Sequence, residues 1–180
     1  MNDVFDDNEK NSENKTNKPK ENKHGSNPLR YMFLTVGYSG LSPFAPGTVG
    51  SFVSLIAGMW LLTFLDISNL FALSILIFVV SIKQIDLYEA EVGIHDSKHI
   101  VIDELAGMWL TMSIAGINEQ NFVIASVLSF LFFRFFDIYK PSIIGKIDKE
   151  TKGGMGVMGD DMIAGLFAGI CTGLVLYLMI

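Results

Sequence analysis

The chain has 180 residues, 50% of them hydrophobic and only 18% charged, with a formal net charge of −6. A mean hydropathy of +0.41 is too apolar for an ordinary soluble domain, in which about 25% of residues are charged. The negative balance excludes a nucleic-acid binder, which needs a basic face, and the lone Cys171 excludes a disulfide framework or a zinc pattern.

Residues 1–27 are rich in Asn, Lys and Glu, with Met1, Val4 and Phe5 as their only apolar residues. Such a segment cannot bury enough surface to offset its ordering entropy. A disordered polar tail over 1–27 and a single helical domain over 28–180 are therefore expected. Five Lys against six acids make the tail a poor anchor for anionic lipid, and it lacks the apolar stretch of a signal peptide.

Five apolar segments follow, at 44–65, 67–82, 105–118, 120–133 and 162–180. The pattern predicts an all-α, multi-helical membrane-embedded bundle. Only the first and last segments approach the ~20 apolar residues of a spanning helix. The pair within 105–133 is compatible with a tilted or re-entrant hairpin or with buried core helices. If the tail is cytoplasmic and every segment crosses or dips, all 13 Lys and Arg fall on the inner side, leaving Asp66 and Glu119 in the outer connections. This is the positive-inside pattern. The competing reading is a soluble helical protein with a very apolar core.

Four motifs carry the polar chemistry. Residues 37–51 combine four Gly, two Pro and several hydroxyls. Such a turn-rich loop next to a helix start can bind phosphate oxygens, with Thr48 or Ser51 as a candidate N-cap. Asp103 and Glu104 precede the third segment, where they complement a helix dipole or ligate a metal. Upstream, His95 and His99 are spaced to share a helix face, as ligands or as a solvated pair. In the stretch 131–141, Arg134 lies among four Phe, three residues from Asp137, which is itself three from Lys140. This spacing makes a cation–acid–cation ladder, which Pro141 terminates. Finally, Gly-rich 153–159 runs into Asp160 and Asp161. The dinucleotide reading of its G-x-G-x-x-G fails, because no buried strand precedes it and too little chain follows. A glycine loop ending in paired acids at a helix start suits a metal and phosphate corner. Gly165, Gly169 and Gly173 share the face of Asp161 and permit close helix approach.

Acids beside apolar segments are expensive unless paired or metal-bound, so three acidic clusters at segment ends point to one shared site, with Mg²⁺ as its natural ion. The expected activity is that of a membrane-embedded enzyme on a phosphorylated lipid. A transporter or ion-coupled carrier using intramembrane acids is the alternative, and a non-catalytic assembly subunit a third. Neither a Ser-His-Asp or Cys-His arrangement nor a P-loop is present. The motif spacings of the haloacid-dehalogenase phosphatases, the CDP-alcohol phosphotransferases and the type-2 phosphatidic acid phosphatases are absent too.

The motifs SGLSPFAPGTVGS (39–51), IVIDELAGMW (100–109), FRFFDIYKP (133–141) and GGMGVMGDDMIAG (153–165) together resemble the phosphatidylglycerophosphatase A family, in order and in approximate spacing. Tyr38-Ser39 stands where that family often has more glycine, and Gly159 where a bulkier residue is common, but no charged motif residue is lost. The resemblance implies Mg²⁺-dependent hydrolysis of phosphatidylglycerophosphate at the bacterial cytoplasmic membrane, with the motifs facing the cytoplasm. It implies a phospholipid substrate and no protein partner. Asp103, Glu104, Asp137, Asp160 and Asp161 match its acidic residues and Lys140 its basic one. The expected roles follow: these five acids as ligands of one or two Mg²⁺, with Asp137, Lys140, Asp160 and Asp161 in catalysis and Thr48, Ser51, Arg134 and Lys140 binding substrate.

Overall fold

Asn27 opens the first helix by accepting the Leu29 and Arg30 backbone N–H groups at 3.0 and 3.2 Å, and Pro28 occupies the first helical position, where a missing N–H is harmless. The computed structural model describes residues 27–95, 97–140 and 153–179, all of them helix, turn or irregular backbone with no strand. The helices are α1 (Pro28–Leu34), α2 (Pro46–Leu61), α3 (Ile67–Val92), α4 (Ile102–Ile114), α5 (Phe122–Tyr139) and α6 (Gly154–Leu178), with a 3₁₀ turn at Ser39–Leu41. The expected disordered tail, apart from Asn27, lies outside the described residues.

α3 ends at Gly93, whose φ of +73° and N–H bond to the Glu89 carbonyl at 2.8 Å form a left-handed cap. α5 ends similarly at Lys140, with φ +38° and its N–H on the Phe136 carbonyl at 2.9 Å. Pro141 follows in the sequence, a residue that suits a helix end at this point.

The charge-free segments do not coincide with the helices. α3 runs on through Lys83, Asp86, Glu89 and Glu91, and α5 through Arg134 and Asp137, because charges are tolerated where a helix leaves the apolar layer. α2 stops at Leu61 instead. Thus α3 (26 residues), α5 (18) and α6 (25) are long and apolar enough to cross a membrane, whereas α2 (16) falls short. This corrects the expectation for the first segment, whereas the last is full-length as expected.

α4 is too short for a span and is the buried core helix that the sequence allowed. Its 13 residues extend roughly 20 Å, and Ile102 and every residue from Glu104 to Met112 are buried. It is the central rod, packed by α2, α3, α5 and α6. Polar side chains stitch it in place. Ser74 of α3 donates to the Ala106 carbonyl at 2.7 Å, and Trp109 donates its indole N–H to the Ser54 carbonyl of α2 at 2.8 Å. Thr111 donates to the carbonyls of Gly107 (2.8 Å) and, across on α6, of Gly165 (3.2 Å).

The α4–α6 seam is a backbone-to-backbone contact. A Cβ on Gly165 would lie 2.5 Å from the Gly107 carbonyl oxygen, and one on Gly107 would lie 2.6 Å from the Asp161 carbonyl oxygen and 2.7 Å from the Phe133 ring. The glycine face expected from the sequence is therefore realised, except that Gly173 meets nothing closer than 3.8 Å. Gly165→Leu is expected to destabilise the protein by roughly 1–3 kcal/mol through overpacking, and Gly173→Ala by less than about 0.5 kcal/mol. Denaturation in detergent micelles measures both, and equal losses would refute this account of the seam.

Candidate active site

The connections at 62–66 and 115–121 share a crevice lined by Leu62, Asp66, Glu119 and Phe122, which fixes one end of the bundle. At the other end the N-termini of α2, α4 and α6, the C-terminus of α5 and the segment 95–100 enclose a cavity of about 490 Å³. Asp103, Glu104, Asp137, Lys140, Asp160 and Asp161 all line it. Three motifs distant in sequence thus meet in one space.

Asp103 and Glu104 occupy the first turn of α4, where the helix dipole favours negative charge. Asp160 and Asp161 stand nearly two turns inside α6. The glycine stretch before them is helical rather than the loop expected, because the helix receives its cap from elsewhere: the Asp86 carboxylate of α3 accepts the Gly154 N–H at 2.6 Å. Gly154 itself lies against the Ile82 backbone, leaving no room for a side chain. Asp86 thereby fixes the register at which the two acids enter the cavity. No local signal marks it, since its partner is 68 residues away.

Arg134 pairs with Asp137 at 2.5 Å and donates to the Ser51 hydroxyl at 3.0 Å. It lies behind the cavity wall, supporting Asp137 and facing Glu104 across Gly47, where a Cβ would collide with the Glu104 carboxylate and sit 3.6 Å from the guanidinium. Lys140 reaches across from α5 to Asp160 at 2.6 Å. Asp160 also accepts the backbone N–H of Asp161 at 3.0 Å.

Thr48 and Ser51 are interior residues of α2, whose N-cap is Ala45, and Ser51 donates to the Gly47 carbonyl at 2.8 Å. Pro46 and Gly47, not these hydroxyls, line the cavity. The histidines do not share a helix face either, because residues 93–95 and 97–101 are not helical. His95 faces Glu89 at 2.8 Å, and His99 Nδ1 faces the Gly40 carbonyl at 3.1 Å.

The five acids therefore divide. Asp137 and Asp160 face protein cations. Asp103, Glu104 and Asp161 instead present carboxylate oxygens within 4.8 Å of one another. Asp103 Oδ1 and Glu104 Oε2 are buried without a hydrogen-bond partner among the described residues. Burial, and then the Glu104 charge, push the Asp103 carboxyl well above its usual range. Burial likewise pushes Glu104 up to about 8, with Asp161 and Asp137 adding repulsion and Arg134 opposing it. Converging hard oxygen donors with unsatisfied lone pairs fit a divalent cation such as Mg²⁺.

An all-helical bundle with three helices long enough to cross a membrane, and a carboxylate-lined cavity at their shared end, has the form of a membrane enzyme acting on a charged group. The chain matches phosphatidylglycerophosphatase A over residues 32–176, and it belongs to that family of lipid phosphomonoester hydrolases. It is 38% identical over 145 residues to phosphatidylglycerophosphatase A of Escherichia coli (strain K12), covering 79% of this chain and 80% of that protein. The identity to phosphatidylglycerophosphatase A of Haemophilus influenzae is 33% over 154 residues, covering 86% and 92%. No solved structure matches the chain.

The raised carboxyls set a pH dependence. A carboxyl whose folded pKa exceeds its unfolded value stabilises the fold fully below the unfolded pKa and loses that contribution as pH rises through the folded one. With Glu104 near 8, thermal stability in chelator should fall between about pH 5 and 9, and Glu104→Gln should flatten the slope. Stability rising across that window would refute the assignment.

Proposed function

We propose that this chain removes the terminal phosphate of phosphatidylglycerophosphate, with Mg²⁺ held by Asp103, Glu104 and Asp161, at the cytoplasmic face of the bacterial inner membrane. The observation that carries the reading is the group of three carboxylates whose oxygens converge within 4.8 Å at the lysine-bearing end of an apolar bundle. The orientation rests on charge. Among the described residues the cavity end holds Lys98, Arg134 and Lys140, and also Arg30, through its 3.0 Å pair with Glu91. The opposite crevice carries Asp66 and Glu119.

Hydrolysis joins a water oxygen to phosphorus, breaks the phosphorus–glycerol oxygen bond and delivers a proton to the leaving alkoxide. Bound Mg²⁺ supplies charge neutralisation and an activated water. Lys140, held at the cavity by Asp160, donates to a phosphoryl oxygen as its charge grows, where electrostatic stabilisation has most leverage. Asp160 orients the water. Arg134 works indirectly, fixing Asp137 and moderating the charge of Glu104. The acyl chains stay among the apolar helices. The carrier reading loses support here, because a transport path needs acids near the bilayer midplane, and these acids gather at one end.

Phosphate release from phosphatidylglycerophosphate in neutral micelles tests the proposal. Release should require Mg²⁺ and stop with EDTA. Asp103→Asn and Asp161→Asn should each lower turnover at least about 100-fold with helical content unchanged. Near-wild-type turnover in both variants would remove the cation site, and no release by the wild-type protein would remove the phosphatase reading.

A further inference from the structure

The proposed substrate carries two phosphates: the monoester that is removed and a diester that survives in the product. The carboxylate floor, with its cation and Lys140, accounts for the first alone. We infer that Lys98 binds the second, so that the cavity measures the distance between the phosphates and thereby selects a glycerophosphate headgroup. The inference rests on the proposed phosphatase reading.

Lys98 lines the same cavity and is solvent-exposed at its rim. The other basic side chains lining it are already engaged, Lys140 by Asp160 at 2.6 Å and His95 by Glu89 at 2.8 Å. Lys98 has no ion pair among the described residues. A cation lining an acid-rich cavity without an acid partner is available to an anionic ligand.

Its backbone is fixed in advance. The Ile100 N–H donates to the Ser97 carbonyl at 2.9 Å, making Lys98 and His99 the central residues of a turn. That turn is pinned at two points. His99 Nδ1 lies 3.1 Å from the Gly40 carbonyl, and the Val101 N–H donates to the Leu34 carbonyl at 3.0 Å. Gly40 allows this approach, since any Cβ there would strike the His99 carbonyl. Only the lysine's flexible stem remains to be ordered on binding. Its compact point charge can approach either non-bridging oxygen of a diester.

The two products separate the two phosphates, which supplies the test. Phosphatidylglycerol keeps the diester, and inorganic phosphate reports on the floor. In neutral micelles, Lys98→Ala should raise KM for phosphatidylglycerophosphate about 10-fold while kcat stays within about twofold, as expected of a binding contact equal in ground and transition states. Inhibition by dioctanoyl phosphatidylglycerol should weaken by a similar factor and inhibition by inorganic phosphate should not change. Lys98→Arg, which keeps the charge, should restore most of the loss. An unchanged KM, or equal weakening of both product inhibitions, would overturn the inference while leaving the phosphatase reading intact. Absence of phosphate release by the wild-type protein would overturn both.

Discussion

Carboxylates crowded at the end of an apolar bundle repel one another and resist leaving water, so their position must be held by something stronger than that repulsion. Protein cations neutralise part of the set, with Arg134 on Asp137 and Lys140 on Asp160. The remainder, Asp103, Glu104 and Asp161, is left with converging oxygens, and one oxygen each of Asp103 and Glu104 is buried without a hydrogen-bond partner among the described residues. That division explains why the surrounding backbone is so tightly specified. A site that repels itself stays assembled only on elements that cannot drift apart.

The glycines meet this demand. At the α4–α6 seam Gly107 and Gly165 bring two helix backbones into direct contact, and Thr111 bonds to a carbonyl on each side. Asp161 belongs to the same seam through its own carbonyl, which lies over Gly107. Its side chain therefore inherits the rigidity of the contact. Asp86, capping α6 from α3, fixes the remaining freedom, which is translation of α6 along its axis.

Much of this was legible in the chain. The acids at the ends of apolar stretches, the Arg134–Asp137 spacing and the glycine face below Asp161 are local patterns, and the structure gathers them as the patterns suggest. What escaped was long-range or conformational. The glycine run before Asp160 reads as a loop because glycine is a poor helix former, yet a carboxylate 68 residues away caps it into helix. Thr48 and Ser51 read as caps by residue type, but Ala45 takes that position in a left-handed conformation. The lengths of α2 and α3 were inverted because counting uncharged residues ignores helices that continue through charges into water. The burial of α4 has no compositional mark at all, since its sequence is no more apolar than that of the helices around it.

The seam and the rim differ in kind. The carboxylate floor stands on helix backbones in contact, where even one added methyl group at Gly107 or Gly165 must displace a neighbour, so its support is nearly closed to mutational change. The turn bearing Lys98 is held by main-chain bonds and presents only a side chain, which can be exchanged without disturbing what holds it. With Lys98 as the proposed diester contact, the chemistry of phosphate removal and the choice of lipid would lie in separate parts of the molecule that can diverge independently. On that proposal, a lineage retaining this floor would acquire a new headgroup preference by altering exposed rim positions alone, its reaction staying the same while its substrate changes.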